Sequence, residues 1–133
     1  MGRKVLLIDI DDTLVKNVMM PFVNEFLGTN YSYENCPFSN MQDAIPPEDK
    51  ERFLDFAWSK TFYEGVPVKD GVHDVLSKLN EKYVTYFCSD MIVPDRPLGC
   101  GKFAQDRFNM LVKYFPYIKP TQYMFLNAKR FLY

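Results

Sequence analysis

"KVLLIDIDDTLV", residues 4–15, runs an apolar segment straight into three carboxylates, Asp9, Asp11 and Asp12. The part KVLLID, 4–9, shows no polar alternation, which predicts a strand buried on both faces, the most buried of the chain. Three acids so close together repel one another, and burying them is costly. They therefore belong where such a strand ends. In an open α/β sheet ligands bind beyond the carboxyl ends of the strands, so Asp9 and Asp11 are expected in a crevice at that edge.

The elements that follow agree with a sheet of this kind. PFVNEFL, 21–27, opens on Pro and is closed by Gly28, the punctuation of a short helix. Residues 29–45 have no clear period and read as loop. From Pro46, acids in the first turn precede Phe53, Phe56 and Ala57 at helical spacing. Residues 71–82 place Val72, Val75, Leu76 and Leu79 on one helical face. YVTYFCS, 83–89, reads as a second buried strand. Residues 102–115 form an amphipathic helix through Phe103, Phe108, Leu111, Val112 and Phe115, and TQYMFLN, 121–127, a third strand. Strands alternating with helices predict an α/β fold with a parallel sheet. The helical segment 16–65 stands between the first strand and its crossover helix and reads as an inserted cap. The chain is thus one domain, 1–133, with a core of about 1–15 and 66–133.

Composition narrows the function. Net charge is −1, without a basic stripe, which disfavours nucleic acid as a partner. No stretch approaches the length of a membrane span. The N-terminus has neither a signal-peptide pattern nor the Ser or Thr of a myristoylation motif. Cys36, Cys88 and Cys100 lack zinc or CxxC spacing and read as reduced thiols. Together these lead to the expectation of a soluble, cytoplasmic protein.

Ser89 ends the second strand at the same edge as Asp9 and Asp11. Two acids and a hydroxyl in one crevice can be tolerated when a hard cation such as Mg²⁺ offsets the charge. The pattern D-x-D-x-T after an apolar strand resembles the first motif of the haloacid dehalogenase (HAD) superfamily of phosphohydrolases. YVTYFCSD resembles its second motif at Ser89. FAWSKTFYEGVPVKDGVHDVL, LVKYFPYI and MFLNAK extend the likeness, in the direction of the 5'(3')-deoxyribonucleotidases.

That resemblance implies a HAD-like Rossmannoid sheet with a helical cap inserted after strand one. It also implies a Mg²⁺-dependent phosphatase acting on a nucleoside monophosphate. Asp9 would be the nucleophile that forms an aspartyl-phosphate, and Asp11 the general acid and base. Mg²⁺ would lie on the Asp9 carboxylate and the Asp11 backbone carbonyl. Ser89 and loop amides would bind phosphoryl oxygens. Asp12 stands where the family often has Gly and is given no catalytic role, and Thr13 a supporting one. For the phosphate-site cation, counting forward from Ser89 reaches Lys102, which the first turn of its helix favours; counting back from KYF reaches Arg107. Phe62 and Tyr63 could stack on a base or belong to the core, whereas Trp58 reads as core. Asp90 and Lys129 are further candidates for substrate contact, and His73 reads as a surface residue.

The family's fourth motif, a pair of acids after a further strand, has no counterpart: no acid follows Asp106. Asp90 and Asp95 are the nearby acids on the right edge. The expectation is a C-terminally truncated sheet in which strand one becomes an exposed edge, covered by a homodimer partner, a folded-back segment or a second chain. Two further readings follow: a catalytically impaired binding protein, and one part of a split enzyme.

Overall fold

The computed structural model describes residues 2–90 and 96–126. Strand β1 covers Val5–Ile8, helix α1 Met20–Leu27 and helix α2 Lys50–Trp58. Helix α3 covers Val72–Lys82, strand β2 Val84–Asp90, helix α4 Cys100–Tyr114 and strand β3 Tyr123–Leu126. The described strands form one parallel sheet in the order β1-β2-β3. Register runs from Val5↔Val84 to Ile8↔Phe87, and from Phe87↔Tyr123 to Asp90↔Leu126. Ser89 therefore lies two residues past the partner of Ile8, at the sheet edge where Asp9 follows β1.

Local chemistry explains the boundaries. Asn17 Oδ1 accepts the amides of Met19 and Met20 at 2.8 and 3.2 Å, capping α1 ahead of Pro21. Gly28 ends that helix at φ 68°, a left-handed conformation that glycine adopts without penalty. The loop read over 29–45 contains a short 3-10 turn at Met41–Ala44, anchored by buried Met41. The segment between β1 and α3 leaves and returns at one place: Lys16 N–H donates to Pro67 O at 3.0 Å and Lys69 N–H to Leu14 O at 2.9 Å.

Two expectations about burial are corrected. β1 is not the most buried strand. Its residues are exposed or half-buried, Val5 being 61% exposed, whereas Thr85, Phe87, Cys88 and Ser89 of β2 are buried. The reason is position, because β2 has strands on both sides and β1, among the described residues, has one. In α4 the inward face is Cys100, Phe103, Arg107, Met110 and Leu111, and Phe108 and Val112 are exposed. A buried arginine thus takes a core position that an apolar reading gives to Phe108.

The core joins the inserted segment to the sheet layer through aromatic rings. Phe62 meets Trp58 at 4.9 Å, Phe103 at 4.6 Å and Phe22 at 5.5 Å between centroids. Trp58 Nε1 donates to Gly99 O at 3.0 Å. A Cβ on Gly99 would run into that indole, so Gly99→Ala is expected to destabilise the fold by about 1–3 kcal/mol in urea denaturation. Gly101→Ala meets nothing and sits in α4, so it should gain about 0.5 kcal/mol. The three cysteines are free thiols, and among the described residues no helix is long and apolar enough to cross a membrane.

Candidate active site

After Ile8 the chain coils tightly: the amides of Thr13 and Leu14 donate to Ile10 O at 3.2 and 2.9 Å. This turn carries all three acids. Thr13 Oγ1 donates to Asp9 Oδ2 at 3.3 Å. Asp12 is exposed with φ 59°, a left-handed geometry that Asp tolerates better than most residues and glycine adopts freely. Lys69 Nζ donates to its carbonyl.

Although Asp12 is exposed overall, partial desolvation of its carboxyl against the turn raises it above its ordinary value, with repulsion from Asp11 adding to this and Lys69 opposing it. A carboxyl raised in the folded state penalises folding once it ionises. That penalty is absent below about 3.8, the ordinary value, and sets in as pH rises through the raised one. Asp12→Asn keeps a side chain tolerant of the left-handed turn and removes the charge. Its thermal midpoint at pH 7 is expected to rise slightly, the gain being reduced by solvent screening and vanishing below about pH 4.

Asp11 is held on both oxygens. Tyr63 OH donates to Oδ1 at 2.6 Å, and Arg107 Nη2 to Oδ2 at 2.9 Å. Arg107 also donates from Nε to the Tyr63 oxygen at 3.0 Å and from Nη1 to Asp90 O at 2.8 Å. Its guanidinium lies between the rings of Phe103 and Phe125, at 4.8 and 5.6 Å from their centroids. Burial works against the arginine's charge, but Tyr63 and Asp11 outweigh it and leave the pKa raised. Burial, with the Asp11 charge adding to it, holds the Tyr63 phenol well above its ordinary value, so the hydroxyl is a neutral donor.

Arg107 thus joins Asp11 to the backbone end of β2, and Lys102 is held elsewhere. Lys102 lies in the first turn of α4, as its position predicts. However, its Nζ donates to Lys60 O and, at 2.7 Å, to Asp106 Oδ2, and it lies over the Phe62 ring. Asp106 in turn accepts the Phe62 amide at 3.0 Å, so this pair fastens the inserted segment to α4. Phe62 and Tyr63 are 1% and 2% exposed and present no open ring face. Ser89 is buried at the end of β2, and the Asp90 side chain is exposed beside it. His73 is exposed, with Nδ1 2.9 Å from Tyr117 OH. Lys129 and Asp95 lie outside the described residues.

The sequence offers Arg107 as the alternative to Lys102 and Tyr63 as a stacking or core residue, and assigns neither a contact with Asp11. The site donor role of Tyr63 has no local signal. Arg107 does have one, being four residues past Phe103 and three before Met110 on the inward stripe of α4. A cation on an apolar stripe needs a partner of opposite charge within reach, and the half-buried Asp11 is that partner.

A cavity of about 310 Å³ opens beside the acidic turn, lined by Asp12, Lys16, Tyr33, Glu34 and Lys69 among others. Among the described residues no cluster of three His, Cys, Asp or Glu side chains forms a ready-made metal site. The Asp9 carboxylate and the Asp11 carbonyl are hard oxygen donors of the type Mg²⁺ takes alongside water and phosphate.

No family model matches the chain. Among curated proteins it is similar to two from different strains of Staphylococcus epidermidis, each named "putative 5'(3')-deoxyribonucleotidase". Identity to each is 25% over 134 residues, covering 99% of this chain and 71% of the relative. The similarity spans both the sheet segments and the inserted helices.

Proposed function

We propose that this protein is a phosphomonoesterase acting on a nucleoside monophosphate through an aspartyl-phosphate on Asp9. The observation that supports it best is the convergence of Asp9, Asp11, Ser89 and Arg107 at the carboxyl edge of a parallel sheet. The names of the two staphylococcal relatives point to the same substrate class.

In this reading an Asp9 oxygen attacks phosphorus as the bond to the leaving oxygen breaks, and Asp11 gives that oxygen its proton. Asp11 then takes a proton from the water that cleaves the aspartyl-phosphate. Ser89 and the amides of the 9–13 turn donate to phosphoryl oxygens, and Arg107 supplies the cation. When bound, Mg²⁺ would neutralise phosphate charge, held by the Asp9 carboxylate and the Asp11 carbonyl. The nucleoside would occupy the 310 Å³ cavity beside Asp12, a volume within the range of small-ligand sites.

The test is phosphate release from a panel of ribo- and deoxyribonucleoside monophosphates with Mg²⁺. Turnover by the wild type, lost by at least about 10³-fold in Asp9→Asn, is the expected result. A second reading, ligand binding without turnover, is favoured by one observation: both oxygens of Asp11 are already engaged by protein donors. Nucleotide binding by a folded chain that releases no phosphate from any substrate would establish it instead.

A further inference from the structure

We infer that Tyr63, carried by the segment inserted after β1, is a positioning residue that fixes one oxygen of Asp11 so that the other is presented to the leaving group. The inference rests on the phosphatase reading above. Two unfavourable features meet at this residue. Its backbone is left-handed, φ 72°, which is uncommon for a bulky side chain. Its hydroxyl is buried within the aromatic cluster around Phe103, and a buried hydroxyl is costly unless it is hydrogen-bonded. The hydroxyl makes two contacts: it accepts Arg107 Nε at 3.0 Å, and it donates the 2.6 Å bond to Asp11 Oδ1.

The two donors on Asp11 differ in what can remove them. Arg107 reaches Oδ2 with a guanidinium whose planar fork suits phosphate, so an arriving phosphate dianion competes for it. A neutral phenol offers one O–H, already committed, and has no comparable attraction for the dianion. Substrate therefore draws Arg107 off Oδ2 and leaves Tyr63 on Oδ1. Once the guanidinium has left, Oδ2 takes a proton from water and passes it to the leaving oxygen, which keeps the electron pair of the broken P–O bond. The carboxylate that remains stays anchored by Tyr63. Because Tyr63 lies between Phe62 and Gly65 in the inserted segment, the placement of that segment is transmitted to the acid.

The experiment compares two substrates of unequal demand for a proton, a nucleoside 5'-monophosphate and p-nitrophenyl phosphate, whose leaving group departs unprotonated. Wild type, Tyr63→Phe and the packing control Phe103→Leu are assayed with Mg²⁺, and folding is followed by circular dichroism. For Tyr63→Phe, kcat on the monophosphate is expected to fall by roughly 10- to 100-fold with KM within about 2-fold. The loss on p-nitrophenyl phosphate should be at least about tenfold smaller. Phe103→Leu should lower both activities alike. Equal losses in Tyr63→Phe on both substrates, no loss on either, or a chain that fails to fold would each overturn the positioning role. A wild type inactive on both substrates would instead overturn the phosphatase reading, and this inference with it.

Discussion

Replacing Arg107 with alanine is expected to destabilise the fold by about 2–4 kcal/mol and to abolish phosphatase turnover. The guanidinium is 5% exposed and its carboxylate partner 34%. Asp11 can therefore rehydrate in part when the cation is lost, and that share of the ion pair is discounted for solvent screening. The greater loss comes from the buried Tyr63 oxygen, which loses a donor, and from the rings of Phe103 and Phe125, which lose the guanidinium packed over them; the Asp90 carbonyl also loses a donor. Arg107→Lys keeps the charge but has one ammonium for acceptors that three separate guanidinium nitrogens now reach, so it should recover less than half of the stability. Urea denaturation of the three chains at pH 7 measures this. A loss below about 0.5 kcal/mol in Arg107→Ala would mean that the guanidinium is solvated rather than built into the site. Lys102→Ala is the informative contrast. Its pair with Asp106 is an i,i+4 bridge between a half-exposed ammonium and a carboxylate 14% exposed, and should contribute about 0.5–1 kcal/mol. Turnover of Lys102→Ala should stay within about threefold of wild type. A collapse of turnover there, with Arg107→Lys active, would move the phosphate-site cation back to the first turn of α4.

The difference between these two cations shows how far the residues could be read in advance. Element order and the edge where Asp9, Asp11 and Ser89 gather follow from short-range patterns: unbroken apolar runs, Pro before a helix and Gly after it, and a 3.6 period in α3 and α4. Each depends on neighbours in the chain. Choosing Lys102 or Arg107 depends on the direction in which a long side chain leaves its helix, and that is decided by a partner some ninety residues away. Lys102 meets Asp106 and the carbonyl of Lys60, so its position near the strand edge does not bring its charge there. Burial of β1 was misjudged for a related reason. An apolar run records what a strand tolerates on its two faces, whereas exposure also depends on whether a strand lies beyond it. The left-handed turn at Asp12 was half legible, since a position where glycine is common is one where the backbone favours positive φ. Nothing local marks the hydroxyl of Tyr63 as a partner of Asp11.

Phe62→Ala is the substitution expected to separate a structural aromatic from a substrate-stacking one. The ring is 1% exposed and packed by Phe22, Trp58 and Phe103, with the Lys102 ammonium 4.9 Å above it. Truncation removes a large buried ring at the junction between the inserted segment and α4, where few atoms can relax into the space. The expected loss is about 3–5 kcal/mol, a large part of the stability of a domain this size. A ring that stacked on a nucleobase would behave in the opposite way: Phe62→Ala would leave stability nearly unchanged and weaken nucleotide binding, by about 1–3 kcal/mol. Phe62→Leu sharpens the comparison, because it keeps most of the apolar volume and should recover half or more of the stability, while it offers a base no aromatic face. Denaturation midpoints and nucleotide affinities measured on the same three chains decide between the two roles. If Phe62 is structural, as its contacts indicate, recognition of the nucleoside falls to residues that face open space, such as Tyr33 in the cavity beside Asp12, where Lys16 Nζ lies 5.1 Å over the ring.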